Sequence, residues 1–299
     1  MQAMILAAGL GTRLRPFSLR RPKPLFPVLD KPLLQISIER LRRLGAGKIT
    51  VNAHHLAEQF ADFLSSEQDV FLQKEETVLG TGGGLRMAFP GFGRDPVLVV
   101  NGDIHHNIDL VSIYEKHCVS GAQVSLVLHD FPRFNNVAVD AENKVLAFGP
   151  EEGDENVRIL AFTGIHVINP QILKKIPANT FYDIIELYRL LIAEGEVIKV
   201  IVVKDHFWTD MGTPRDYLKL HEVLLRQGVA GQNDDFARKG GFPFYLGDGV
   251  RIGHDVQMMD WVCVGSRAMI GDGASLTRVV VWDKAQVPAG AVFQDEIVI

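Results

Sequence analysis

Met4-Ile5-Leu6-Ala7-Ala8-Gly9-Leu10-Gly11-Thr12-Arg13-Leu14-Arg15-Pro16 is a short apolar run that breaks into glycines and then cations. Residues 4–7 predict a buried strand, since a continuous apolar run of this length suits a strand covered on both faces. Gly9 and Gly11 carry no Cβ, so backbone N–H groups of the following loop can approach an anion that a side chain would hold off. Arg13 supplies one cation, and Arg21-Pro22-Lys23-Pro24-Leu25 supplies more downstream. Cations beside a glycine loop at the carboxyl end of a strand suit a polyphosphate. The bland alternative is a solvated Arg/Lys cluster. A dinucleotide fingerprint is excluded, because its third glycine falls at position 14, where Leu14 stands.

Outward from this loop the chain keeps one rhythm. Residues 49–52, 70–73 and 97–101 predict further buried strands. Leu34, Ile38, Leu41 and Leu44 recur at helical spacing, with Glu39, Arg40, Arg42 and Arg43 on the other side; residues 55–64 and 85–89 are also helix candidates. Such alternation predicts parallel strand–helix–strand units with helices on both faces of the sheet. Residues 124–129, 137–139, 144–148 and 162–168 add strands before a helix over 184–193. The expected fold is α/β: a Rossmann-like, three-layer α/β/α domain with a mixed sheet over residues 1–225.

A polar, glycine-containing linker is expected over 226–244. Beyond it a period of six begins. Leu246, Ile252, Met258, Val264, Ile270, Leu276 and Trp282 form one row, and Val250, Val256, Val262, Ala268, Ala274 and Val280 a second. Gly247, Gly253, Gly265 and Gly271 follow the first row directly. This hexad reads as a short left-handed parallel β-helix over 245–299, against an ordinary β meander as the alternative.

Composition narrows the functional classes. The 299 residues are 47% hydrophobic and 22% charged, which excludes a disordered, collagenous or coiled-coil chain. No apolar run reaches the ~18 residues of a membrane helix, and the N-terminus lacks the charged and apolar regions of a signal peptide. A net charge of −5 offers no basic footprint for nucleic acid. Cys118 and Cys263 make no disulfide framework and fit a reducing compartment, so a cytoplasmic protein is expected. His54-His55 and His105-His106 have no cysteine or carboxylate at zinc spacing.

The glycine loop, with Pro22-Lys23-Pro24-Leu25, Leu79-Gly80-Thr81-Gly82-Gly83-Gly84, Val100-Asn101-Gly102-Asp103 and Thr209-Asp210-Met211-Gly212-Thr213-Pro214, closely resembles the sugar-1-phosphate nucleotidyltransferases. The likeness covers nearly all of residues 1–225, and a hexapeptide tail recurs in that family. It implies attack by a sugar-1-phosphate oxygen on the α-phosphorus of a nucleoside triphosphate, with release of pyrophosphate. Such a transfer needs in-line positioning and charge neutralisation rather than a covalent nucleophile. The resemblance places Ala8, Gly9, Gly11, Thr12 and Arg13 on the nucleotide. It puts Lys23 near the α-phosphate, where charge develops in the transition state.

Asp103 ends a strongly apolar strand, and Asp210 follows His206-Phe207-Trp208-Thr209 at another strand end. Two carboxylates with phosphate oxygens and water suit Mg²⁺; the local alternatives are a turn-forming Asp103 and a helix-capping Asp210. The resemblance makes the pair metal ligands and counts Asp103 with Arg13 and Lys23 in catalysis. It also implies that Gln73 pairs with a base edge, and that the glycine loop over 79–84, with Gly80 and Thr81, lies against the nucleoside. Asn52 reads as a cap of the helix that follows it.

One family feature is missing. The adjacent acid–lysine pair of the sugar-binding segment is replaced by Leu146-Ala147-Phe148-Gly149-Pro150-Glu151-Glu152. Gly149 and Thr163 are then the sugar-phosphate candidates, with Arg158 and Lys204 as nearby cations. The pattern is most similar to N-acetylmuramate-1-phosphate uridylyltransferases and mannose-1-phosphate guanylyltransferases. Two other functions compete: acyl transfer by the β-helix, where His254 is the single histidine of the repeat, and a non-catalytic sugar-nucleotide sensor or scaffold. Exposed ends of a short β-helix predict a homo-oligomer.

Overall fold

The structure is a computed structural model in which residues 1–149, 156–227 and 243–299 are described. It divides into two compact units. The first comprises Met1–Leu10, Ser37–Gly102 and Ile108–Trp208; the second comprises Gly11–Ile36, Asp103–Asn107 and Thr209–Ile299. Most of the expected 226–244 linker lies outside the described residues.

The first unit is built on a nine-stranded mixed sheet. Gln2–Leu6 runs at its centre, parallel to Lys48–Ala53 on one side and Val97–Asn101 on the other, and Val70–Lys74 continues the parallel half. The apolar runs of the first three are buried on both faces, as strands under helices must be, but Val70–Lys74, expected to be a buried strand, lies at the sheet edge with Phe71 50% exposed. Arg158–Ile168 pairs antiparallel with Val97–Asn101, Val124–His129 and Val137–Val139, and turns the sheet from parallel to mixed. Val145–Phe148 and Ile198–Val202 complete it. Helices Ala57–Leu64, Leu110–Ser120 and Ile184–Ala193 belong to this unit. One core gathers Met4, Leu85, Val97, Val99, Leu126, Leu128, Leu187 and Tyr188. Among the described residues no helix is long and apolar enough to cross a membrane.

One element differs from expectation. The glycines after Leu79 do not form a loop: Gly80–Ala88 is a helix. Gly82 and Gly83 donate from their backbone N–H groups to Tyr182 O, at 2.8 and 3.1 Å. A Cβ on Gly83 would lie 2.6 Å from Thr180 O. The glycines are there for the close approach of a second backbone, and the helix survives their low propensity because that approach supports it.

In the second unit the tail is a stack of short parallel strands. Phe244–Leu246, Gln257–Val264, Ser275–Val281 and Val292–Gln294 form one parallel sheet, and Arg251–Ile252, Met269–Ile270 and Gln286–Val287 form another. Partners are 18 residues apart at Gln257 and Ser275, but 17 apart from Val262 and Val279 onward. The register changes where Met259–Val262 faces Thr277–Val279: the step from Met258 to Val264 keeps six residues, but the step from Leu276 to Val281 takes five, turning at Arg278 with φ 56°. This slip corrects the two hexad rows. Val264, Ile270 and Leu276 do fill the tail core, but Val281 and Val279 take the positions expected of Trp282 and Val280. Trp282 instead faces Phe26, with ring centroids 4.7 Å apart.

Candidate active site

The strands set the stage in the first unit. Leu6, Asn52 and Asn101 are register partners at the carboxyl ends of three parallel strands. That edge is where an open α/β sheet presents its ligand loops. Gly102 closes against Leu6, donating to its carbonyl at 2.8 Å, and a Cβ there would lie 3.0 Å from that oxygen. Gly9 has open space around its Cα, with nothing within 4 Å of where a Cβ would lie, and Ala8 immediately precedes it.

The second unit holds the charges. Gly11 takes φ 60°, outside the range most side chains accept, and Thr12–Leu14 follows as one turn of 3₁₀ helix. Lys23 is buried to 7% exposure, and its ammonium donates to Asp103 Oδ2 at 2.7 Å and to Asp210 Oδ1 at 3.1 Å. Arg13 Nη2 stands 3.9 Å from the other oxygen of Asp210, and its side chain is 63% exposed. Two cations thus face two carboxylates, which compensate the burial of the Lys23 ammonium. Asp210 is not a helix cap. Thr213 does that work for Pro214–Gln227, accepting from Asp216 N at 3.2 Å, and Asp210 is left to Lys23 and Arg13.

In the first unit, Gln73 donates from Nε2 to Gly84 O at 3.0 Å. Asn52 is not a cap either. It is buried, accepts from Ala7 N at 2.7 Å, and donates to Glu75 Oε1 at 2.7 Å. Glu75 Oε2 accepts in turn from Leu79 N at 3.2 Å. One amide–carboxylate couple therefore ties the start of the first glycine loop to the start of the glycine helix. Gly80 packs on Tyr182, and its φ of 71° and the 2.8 Å from a Cβ to Tyr182 O both demand glycine. The Thr81 hydroxyl accepts from Ile184 N at 2.9 Å and caps the helix Ile184–Ala193 together with Asp183.

The two sugar-phosphate candidates differ. Gly149 has φ 123° and, among the described residues, nothing within 4 Å of where a Cβ would lie; its N–H donates to Asn136 O at 2.8 Å. Thr163 is fully buried, and its hydroxyl donates to Val127 O at 2.8 Å. Its carbonyl accepts from Trp208 Nε1 at 2.9 Å. Arg158 is engaged by Asp140 O and Asn143. Trp208 packs edge-on against His129, Phe131 and Phe134, with centroids 4.9, 5.4 and 6.0 Å away. His129 Nδ1 lies 3.0 Å from His206 Nε2; burial first, and then the neighbouring imidazole, push His129 down to about 4.

Residues 2–227 match the family described as nucleotidyl transferase. The chain belongs to that family. It is 28% identical over 340 residues to the UTP–glucose-1-phosphate uridylyltransferase of Synechocystis, covering 100% of this chain and 87% of that one. It is 28% identical over 302 residues to the mannose-1-phosphate guanylyltransferase of Mycobacterium tuberculosis, covering 98% and 83% respectively. Among solved structures, HddC of Yersinia pseudotuberculosis superposes with a TM-score of 0.62 at 25% identity, over 73% of this chain and 97% of that one. HddC has also been solved in complex with GMP-PN.

This nucleotidyltransferase is an enzyme whose charged residues were legible from motif chemistry. Glu75 was not. Its signal is a carboxylate two residues beyond Gln73, next to a second acid, Glu76, and just ahead of Leu79. Nothing local says that it turns inward to Asn52.

Proposed function

We propose that this nucleotidyltransferase joins a nucleoside triphosphate to a sugar 1-phosphate, with Mg²⁺. An oxygen of the sugar phosphate bonds to the α-phosphorus, the bond from that phosphorus to the β-phosphate oxygen breaks, and pyrophosphate leaves. The observation that carries this reading is the convergence of Asp103 and Asp210 on Lys23. Lys23 stabilises the charge that builds on the α-phosphoryl oxygens, and Arg13 neutralises the departing pyrophosphate. Gly9, Gly11 and Thr12 offer backbone and hydroxyl donors to the triphosphate, beside Ala8. Gln73 and Gly80 belong to the base and nucleoside side, and Gly149 to the sugar phosphate. The hydroxyls of Thr81 and Thr163 are already engaged, which gives those residues the role of shaping their segments.

The donor set suits Mg²⁺: two carboxylates that already meet at one cationic point are what this hard ion takes from protein, the rest being phosphate and water oxygens. Bound there, Mg²⁺ supplies charge neutralisation and phosphate orientation. UTP or GTP, with glucose, mannose or N-acetylmuramate 1-phosphate, are the first substrates to try, since the relatives' names carry glucose with UTP and mannose with guanylyl transfer.

The remaining proposals concern architecture. Residues 1–225 form the catalytic domain, 226–244 a linker, and 245–299 a left-handed parallel β-helix; the parallel pairing at 17- and 18-residue offsets supports three hexads per coil. The protein assembles as a homo-oligomer, which light scattering on the eluting peak tests. Pyrophosphate release across a grid of five nucleoside triphosphates and the named sugar 1-phosphates tests the reaction. One productive pair, lost in Asp103→Ala and Arg13→Ala, is expected. Silence across the grid with nucleotide binding intact would sink the catalytic reading and favour the sensor.

A further inference from the structure

We propose that Trp282 and Asp283 of the tail are positioning residues for Lys23, acting through Arg21. The inference rests on the reading of Lys23 given above. Arg21 stands two residues before Lys23, separated from it only by Pro22, whose φ is held at −66°. The Arg21 guanidinium lies over the Trp282 ring, 4.7 Å from its centroid, and Nη1 donates to Asp283 Oδ1 at 2.8 Å. Burial raises the Asp283 carboxyl, but the hydrogen bond and charge of Arg21 outweigh it and hold the group below its ordinary value. A guanidinium fixed by a ring face and a carboxylate has one orientation, and the stiff Arg21-Pro22-Lys23 backbone passes it on.

The rest of the segment is held by the same two elements. Phe26 is fully buried and meets Trp282 edge-on, and Tyr217 likewise at 5.7 Å. Trp282 Nε1 donates to Tyr217 Oη at 3.1 Å, and that hydroxyl donates to Pro27 O. Leu29 N donates to His221 Nε2 at 3.0 Å, Cys263 Sγ donates to Leu29 O at 3.4 Å, and Ser266 N donates to Asp30 Oδ1 at 2.9 Å. The walls of the Lys23 segment are thus tail strands and the helix Pro214–Gln227. Arg13, Lys23, Asp103 and Asp210 all belong to the compact unit that contains the tail. In this reading the tail is a working part of the phosphate-handling machinery, and the 17-residue register that turns Trp282 outward is what makes the contact.

The test uses the full chain. Asp283→Asn, Trp282→Leu and, as a tail control, Arg278→Ala are compared for thermal midpoint, kcat, KM for the nucleoside triphosphate, and calorimetric binding of Mg²⁺-pyrophosphate. Asp283→Asn is expected to lower kcat by about 10- to 100-fold with KM little changed, because misplacing a charged group costs in the transition state. Its midpoint should match that of the control. Asp283→Asn made on top of Lys23→Gln should add less than about a twofold further loss, since it acts through the missing ammonium. Unchanged kcat in a folded Asp283→Asn, or full additivity with Lys23→Gln, overturns the proposal while wild-type turnover keeps the reaction. If the wild type turns over no pair, the reaction reading fails, and the proposal is then decided by whether Asp283→Asn weakens pyrophosphate binding.

Discussion

Lys23 Nζ donates to Asp103 Oδ2 at 2.7 Å, across 80 residues of sequence. Asp210 reaches the same ammonium at 3.1 Å. The two carboxylates compensate the burial of the ammonium and fix the segment around Lys23, which the proposed reaction sets beside the α-phosphate. Lys23→Met is expected to lower kcat by about 10²- to 10³-fold, the usual cost of removing one transition-state donor. Pyrophosphate release measures it, and a folded variant within about threefold of wild type would take Lys23 out of the chemistry.

Asp210 shares its carboxylate between Lys23 and Arg13. Asp210→Asn keeps the shape and removes one negative charge. The Mg²⁺ concentration for half-maximal activity should rise by about tenfold or more. A magnesium titration of both proteins decides the point, and an unshifted midpoint would remove Asp210 from the metal's ligands.

Gly84 sits against the Asn52–Glu75 couple. A Cβ there would lie 2.7 Å from Asn52 Nδ2 and 2.8 Å from Glu75 Oε1, and both are fixed by other bonds. Gly84→Ala should therefore cost about 1–3 kcal/mol in urea unfolding. Gly47→Ala, with nothing within 4 Å of the new methyl, should stay within about 0.5 kcal/mol. Equal midpoints for the two variants would show that the couple yields freely.

Acid should destabilise the fold through buried imidazoles. Burial holds His166 down at about 3, and His129 and His221 at about 4. Their folded values lie below the unfolded value near 6.5, so the unfolded chain binds more protons between these limits. The contribution is complete above about pH 6.5 and is lost as pH falls toward 4, with a slope near 1.4 kcal/mol per pH unit for each group. His166 stacks on Phe162, and neither ring nitrogen has a hydrogen-bond partner among the described residues. His166→Phe should lose less stability than wild type between pH 7.5 and 5, as urea unfolding at the two pH values would reveal; parallel losses would contradict this.

The core strands were legible because their signal is local. Residues 97–101, 124–129 and 137–139 match the strands Val97–Asn101, Val124–His129 and Val137–Val139, and the helix over 184–193 matches Ile184–Ala193. An apolar run, a helical spacing or a glycine beside a cation is a property of neighbours in the chain. So the family and the reaction class follow from motifs, and the structure brings together the site candidates Arg13, Lys23, Asp103 and Asp210 read from the same motifs. The glycines over 80–84 misled for the opposite reason. Their helix depends on Tyr182, about a hundred residues away, and low intrinsic propensity said loop where a second backbone said otherwise.

Tertiary structure alone decided which polar groups remain for a ligand. Thr81 and Thr163 spend their hydroxyls on Ile184 N and Val127 O, and Asn52 spends its amide on Ala7 and Glu75. A five-residue step around Arg278 moves Val281 into the tail core and turns Trp282 toward Phe26 and Arg21. Residue type and spacing specify what chemistry a side chain can do. Which partner it meets is set by burial, because every buried donor and acceptor must be satisfied by whatever the fold brings within about 3 Å of it.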